Sequence, residues 1–238
     1  MVKRTSPLKT LNGKVFPYNS VMVFTTLFFD LDETLYPKGS GLWEAIRERM
    51  AGYMVQRLDL PIEEVEILRR KYFEQYGTTL RGLQKHHQVD TNEYLAYVHD
   101  LPLGNYLQPA PGLRELLTSL PQRKWIFTNA DAAHARRVLA TLGLSGCFEG
   151  IADIRSLDFA CKPELEAYHK AMDRAGELDP SRCVLLDDSP RNLAPALALG
   201  FTTVLVGADA PHPAASAVIP SLLALPEGLP ELWQGKGD

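Results

Sequence analysis

The sequence predicts an α/β fold: a parallel sheet covered by helices on both faces, interrupted near its start by an all-helical insertion. Three observations carry this. Short apolar, β-branched runs alternate with segments of helical period, the pattern of successive β-α-β units. The first such run ends at Asp30 and the next core run begins near Trp125, whereas a crossover needs only about a dozen residues. With 238 residues, 45% hydrophobic and 23% charged, the chain can bury a core without disulfides or structural metal.

Residues 1–21 hold basic residues, two prolines and a glycine with no apolar run behind them, so they read as an irregular arm and not as a secretory signal. Residues 21–30 (VMVFTTLFFD) are a buried strand closed by acids. After Gly39, Ser40 and Gly41 the period turns helical, with Leu42, Ile46, Met50 and Met54 on one face. A second helix starts near Pro61, with Val65, Leu68 and Tyr72 inward, and two shorter ones cover residues 80–87 and 91–100. Two prolines in residues 105–112 mark a boundary. The insertion is therefore residues 37–108, and the core is residues 22–36 and 109–238.

Beyond the boundary, Leu113, Leu116, Leu117 and Leu120 form a helix face. Strands are expected at 125–129 (WIFTN), 150–154, 183–188 (CVLLDD) and 202–206 (TTVLV). Helices are expected at 131–142, 163–175 and 190–199. The tail from Ala208, rich in proline and alanine, reads as irregular packing.

Composition excludes several functions. The formal charge is −4, so no basic footprint for nucleic acid exists. No run approaches the ~18 apolar residues of a membrane span. Three cysteines without a C-x-x-C spacing argue against a disulfide scaffold or zinc knuckle and for reduced thiols in the cytoplasm.

Four groups fall at the carboxyl ends of the expected strands: Asp30 and Asp32 (FFDLDETL), Thr128 and Asn129 (FTN), Lys162 (CKP), and Asp187 and Asp188 (LLDDS). That edge is where open α/β sheets bind ligands. Singly, each has a plain reading: solvated strand-end carboxylates, a capping threonine, a loop lysine, a helix start with Ser189 as N-cap and Pro190 at its first position. Their shared position on one rim does not. Four carboxylates there repel one another unless a hard divalent cation joins them, and oxygen ligands of this kind suit Mg²⁺. A metal beside a lysine and a hydroxyl donor makes a site for an anion rich in oxygen, phosphate above all. A helix starting near Asp131 would add its amides to the same rim.

In this order and combination the motifs resemble the haloacid dehalogenase superfamily, mostly Mg²⁺-dependent phosphatases with a Rossmann-like core and an inserted cap. The resemblance covers residues 24–206. It implies Asp30 as the nucleophile that takes the phosphoryl group and Asp32 as general acid, then base. It implies Thr128 as a hydrogen-bond donor to the phosphoryl and Lys162 as the counter-charge. Mg²⁺ would be held by Asp30, the backbone carbonyl of Asp32, and Asp188 assisted by Asp187. Asn192 departs from relatives that carry a further acid there. DLDETLYP, TNADAAHARRVLATLGL, KPELEAYHKAM, DDSPRNL and the insertion's YGTTLRGL are similar to the pyrimidine 5′-nucleotidase group, which implies UMP or CMP as substrate.

Thr79, Arg81 and Asn129 are the candidate substrate contacts. Another small phosphate ester or a phosphomutase reaction is the alternative, and a non-catalytic binding protein is disfavoured because Asp30 and Asp32 are both present. The expected partner is a small-molecule ester, with no nucleic acid polymer and no membrane, on a monomer or homodimer. Carboxylate chemistry needs no imidazole, so His86, His87 and His134 read as solvated. Arg191 reads as a surface residue as readily as a phosphate ligand. Trp43, Tyr53, Tyr72 and Phe73 read as core of the insertion, and Cys161 as a packed residue.

Overall fold

The fold is a computed structural model that describes residues 24–234, together with the backbone of two strands before them. Those strands, β1 (Leu8–Leu11) and β2 (Lys14–Pro17), pair antiparallel where the sequence predicts an irregular arm. Residues 21–23 of the expected first core strand lie outside the described residues.

The chain then runs through β3 (Thr26–Phe29), α1 (Leu42–Leu58), α2 (Ile62–Tyr76), α3 (Thr79–His86), α4 (Thr91–His99), α5 (Pro111–Ser119), β4 (Arg123–Phe127) and α6 (Ala132–Thr141). After these come β5 (Gly150–Ala152), α7 (Leu165–Ala175), β6 (Cys183–Asp187), α8 (Pro190–Leu199), β7 (Thr202–Val206), β8 (Ala217–Ile219) and α9 (Leu225–Gly228).

Strands β3 to β8 form one six-stranded parallel sheet in the order β5-β4-β3-β6-β7-β8. The order reverses direction at β3, so the crevice at its carboxyl end is the topological switch point. Strand β8 lies in the tail expected to be irregular. It is three residues long and flanked by prolines, too short for a periodic signal.

Alternation along β3 explains its apolar run. Leu27 and Phe29 enter one layer with Ile126, Val184 and Leu186. Phe28 enters the other with Phe127, Leu185 and Tyr168. Both faces are covered, so no strand position needs a polar residue.

Helices α1 to α4 occupy the chain between β3 and β4 and pack Tyr53, Met54, Val65, Tyr72, Leu83, Tyr94 and Val98 together. Local chemistry sets their starts. Gly41 supplies the left-handed φ of +84° before α1, and the Asp90 carboxylate accepts the Asn92 and Glu93 amides at the start of α4. Gly77, after α2, also has φ +84°, and a Cβ there would lie 2.6 Å from Cys161 Sγ and 3.1 Å from the Lys162 carbonyl. Glycine thus lets the helical segment touch the loop that carries Lys162.

Candidate active site

Asp30 follows β3, and its amide donates to the Leu186 carbonyl at 2.9 Å, which continues the ladder and aims the side chain past the sheet edge. Lys162 Nζ lies 2.7 Å from Asp30 Oδ1 and 2.7 Å from Asp187 Oδ2, with its side chain 1% exposed. Burial opposes the lysine's charge, but Asp187 and Asp30 overcome this and raise its pKa. Burial pushes the Asp30 carboxyl well above the usual range; Lys162 pulls it back, while Asp187 and Asp188 push with burial.

Asn129 fixes the Lys162 backbone. Its Nδ2 donates to the Lys162 carbonyl at 3.0 Å, and its Oδ1 accepts the Lys162 amide at 2.8 Å. It therefore joins the loops after β4 and before α7. Thr128 is buried, its amide donates to the Ala152 carbonyl, and its hydroxyl accepts the Ala130 amide at 3.0 Å.

Asp187 is fully buried and its two oxygens are occupied. Oδ1 accepts from the Ser189 amide at 2.9 Å and Asn192 Nδ2 at 3.0 Å; Oδ2 accepts from Lys162 and Asn192. An acid in place of Asn192 would repel Asp187, so the departure from the usual pattern supplies a donor the buried carboxylate uses. Asp188 is more open. Burial raises its pKa, and Lys38, whose Nζ is 2.9 Å from Oδ2, lowers it.

Oxygens of Asp30, Asp187 and Asp188 lie within 4.8 Å of one another. Asp187 and Asp188 push the Asp30 carboxyl up, and Asp187 pushes Asp188 up; a carboxylate set of this kind fits a hard divalent cation. Asp32 joins through other contacts: its Oδ1 accepts from the Tyr36 hydroxyl at 2.7 Å and lies 3.1 Å from His134 Nε2. Burial would raise the Asp32 carboxyl, but His134 and Tyr36 outweigh it and hold it low.

A cavity of about 280 Å³ opens above these groups. Asp30, Asp32, Thr128, Asn129, Lys162 and Asp188 form its floor, and Trp43, Arg69, Phe73, Thr79, Tyr94 and His99 line its roof. Of the two candidates in α3, Thr79 lines the cavity and Arg81 does not. The Arg81 guanidinium turns to the core, where it pairs with Glu164, donates to the Tyr76 carbonyl at 3.1 Å and meets Cys161 Sγ at 3.4 Å. Two neighbours on one short helix face opposite partners, which sequence spacing alone does not reveal.

Three further expectations are corrected. Two of the first amides of α6 are taken by carboxylates and are not free for an anion on the rim: Ala132 N–H donates to Asp153 Oδ2 and His134 N–H to Asp131 Oδ1, each at 2.9 Å. Trp43 and Phe73 line the cavity, whereas Tyr53 and Tyr72 are core as expected. His134 is not solvated but 1% exposed and in contact with Asp32, a role no local pattern signals. His86 and His87 keep their outward places against Tyr76 and Tyr72. Arg191 donates to the Phe73 and Glu74 carbonyls and so ties α8 to the end of α2. Cys161 is fully buried.

Comparison with known proteins agrees with this fold. Over 192 residues the chain is 31% identical to Phosphate metabolism protein 8 of Saccharomyces cerevisiae, a match to 75% of this chain and 60% of that protein's length. Solved structures with the same fold include CbbY from Rhodobacter sphaeroides in complex with phosphate (TM-score 0.64, 18% identity, 88% of this chain and 99% of that one). A HAD phosphatase from Thermococcus onnurineus aligns with TM-score 0.60 at 18% identity over 86% and 97%. The HAD-hydrolase YfnB from Bacillus subtilis, bound to magnesium, aligns with TM-score 0.57 at 16% identity over 86% and 98%. The haloacid dehalogenase-like hydrolase family matches residues 24–200, a span that holds the floor of the cavity and the four helices above it, and the chain belongs to that family.

Proposed function

We propose that the protein is a Mg²⁺-dependent phosphomonoesterase that works through an aspartyl-phosphate on Asp30, with pyrimidine nucleoside 5′-monophosphates as substrates. The observation that carries the reaction is the convergence of Asp30, Lys162 and Asp188 beneath a cavity with Asp32 at its side. Asp30 and Asp188, with the Asp32 backbone carbonyl, would hold the cation. Asp187, its oxygens occupied by donors, acts on Lys162 instead. Bound there, Mg²⁺ would offset the repulsion between a carboxylate nucleophile and phosphate oxygens.

Asp30 Oδ attacks phosphorus, the ester P–O bond breaks, and the leaving oxygen takes a proton from the acid form of Asp32. Asp32 then accepts a proton from the water that hydrolyses the acyl phosphate. Lys162 balances the charge on Asp30 and the phosphoryl group, and the Thr128 hydroxyl donates to a phosphoryl oxygen. Both carboxylates stay in place because Lys162, Tyr36 and His134 hold them.

The roof supports a flat leaving group with acceptors on its edge. Trp43 and Phe73 offer aromatic faces, and Arg69, Thr79 and the Tyr94 hydroxyl, which has no partner among the described residues, offer donors. Among the described residues no helix is long and apolar enough to cross a membrane. Free thiols at Cys147, Cys161 and Cys183 support a reducing cytoplasmic setting. The test is release of phosphate from UMP, CMP, AMP and ribose 5-phosphate, with Mg²⁺ and with EDTA. Turnover that needs Mg²⁺ and favours UMP and CMP supports the proposal. Turnover unchanged by EDTA would overturn the metal, and equal rates on AMP would overturn the pyrimidine preference.

A further inference from the structure

His134 and His99 are stacked imidazoles, their ring centroids 4.1 Å apart and their planes 15° from parallel. His134 belongs to α6 of the sheet layer, and His99 ends α4 of the helical segment. Both are buried, and neither Nδ1 has a hydrogen-bond partner among the described residues. His99 Nδ1 is 3.6 Å from Asp131 Oδ1, too long for a hydrogen bond. Among the described residues, the side chain that the His134 ring meets at hydrogen-bond distance is Asp32, at 3.1 Å through Nε2. A buried ring with an orphaned nitrogen costs more than an apolar side chain of the same volume, so packing does not explain this histidine.

We infer that His134 is a positioning residue for Asp32, and that His99, by stacking on it, ties that position to the seating of α4. The inference rests on the general-acid reading of Asp32. An acceptor oxygen at Asp32 Oδ1 needs a donor opposite it, so the His134 ring carries a hydrogen on Nε2. Tyr36 donates to the same oxygen, Oδ1, at 2.7 Å. Two donors on Oδ1 leave Oδ2, of a residue that lines the cavity, as the oxygen that carries the proton. The helical segment is secured on the same helix: Arg137 of α6 donates to the His99 carbonyl at 2.7 Å and to the Leu101 carbonyl at 2.5 Å. Displacement of α4 from α6 would take away the ring that backs His134 and release the acid from its alignment.

The experiment compares p-nitrophenyl phosphate with phenyl phosphate. The two esters have nearly the same shape but differ in how much they need an acid at the leaving oxygen. His134→Leu is expected to lose about 10- to 100-fold more kcat on phenyl phosphate than on p-nitrophenyl phosphate, with KM changed less than about threefold on either. His134→Gln, which keeps a donor, is expected to recover most of the difference.

His99→Ala is expected to show the same selectivity at smaller size, and His99→Phe, which keeps a ring on His134, to restore it. In an Asp32→Asn background, His134→Leu is expected to add less than about threefold, because its effect passes through Asp32. Parallel losses on both esters, or full multiplication with Asp32→Asn, would overturn the inference. Asp32→Asn alone separates the two readings: without leaving-group selectivity the general-acid role fails, and with it only the histidine pair is on trial. If His134→Leu does not fold, His99→Ala carries the same comparison, with His99→Phe as its rescue.

Discussion

Lys162 Nζ and Asp187 Oδ2 stand 2.7 Å apart, and neither side chain is more than 1% exposed. A buried pair of this kind is costly to break from one side, because the remaining charge has no water. Lys162→Met should therefore destabilise the protein by about 3–5 kcal/mol and abolish turnover, since it strands Asp30 as well as Asp187. Adding Asp187→Asn should restore part of the stability and none of the activity. Denaturant unfolding of the single and double variants decides this, and additive losses would show that the pair is not a unit.

Asp30→Asn keeps the shape of the nucleophile and removes a charge that Asp187 and Asp188 repel. It also weakens an ion pair with Lys162, so the expected net change in melting temperature is small while turnover vanishes. No phosphate should transfer to the protein in an acid-quench trap. A variant with wild-type kcat would exclude the covalent role.

Thr79 and Arg81 should separate cleanly, given that only Thr79 lines the cavity. Thr79→Val should raise KM for the preferred nucleotide by a few-fold, roughly the effect of one lost hydrogen bond, with little change in melting temperature. Arg81→Ala should instead loosen the contact with Glu164 and Cys161 and lower the melting temperature. The opposite assignment of effects would mean that α3 turns its other face to the substrate.

Asp131 caps α6, and although burial would raise its carboxyl, the nearby His99 ring and the His134 amide hold it at about 2. A carboxyl near 3.9 in the unfolded chain and near 2 when folded stabilises the protein above the higher value. That contribution is lost as pH falls through the folded value. The gap in melting temperature between wild type and Asp131→Asn should thus be constant from neutral pH to about 5 and close toward pH 2. A gap that ignores pH would mean that the carboxylate charge is not what the cap uses.

The strand ends were legible because each is a short apolar run that stops at a polar residue, and the parallel sheet brings those stops together: Asp30, Thr128 and Asp187 needed no tertiary knowledge. His134 was not legible. Its burial depends on His99, 35 residues away across the boundary of the helical segment, and a single histidine in a helix gives no sign of what covers it. Arg81 was misplaced for a related reason, since a cation on a short helix can reach either layer and Glu164 decided which. The donors on Asp187 were equally hidden. LLDDSPRN shows that an amide follows two acids, but only the turn into α8 brings Asn192 to the first of them.

Strand β8 has a consequence for how molecules of this protein meet. It and β5 are the outermost strands of the sheet, and each is three residues long. So short a row of unpaired amides and carbonyls is a poor template for another chain, and without β8 the five-residue β7, β-branched at four of its positions, would offer a longer one. The proline-flanked tail acts as a shield against edge-to-edge aggregation. On the six-stranded sheet, the two short edges disfavour extension of the ladder by another chain.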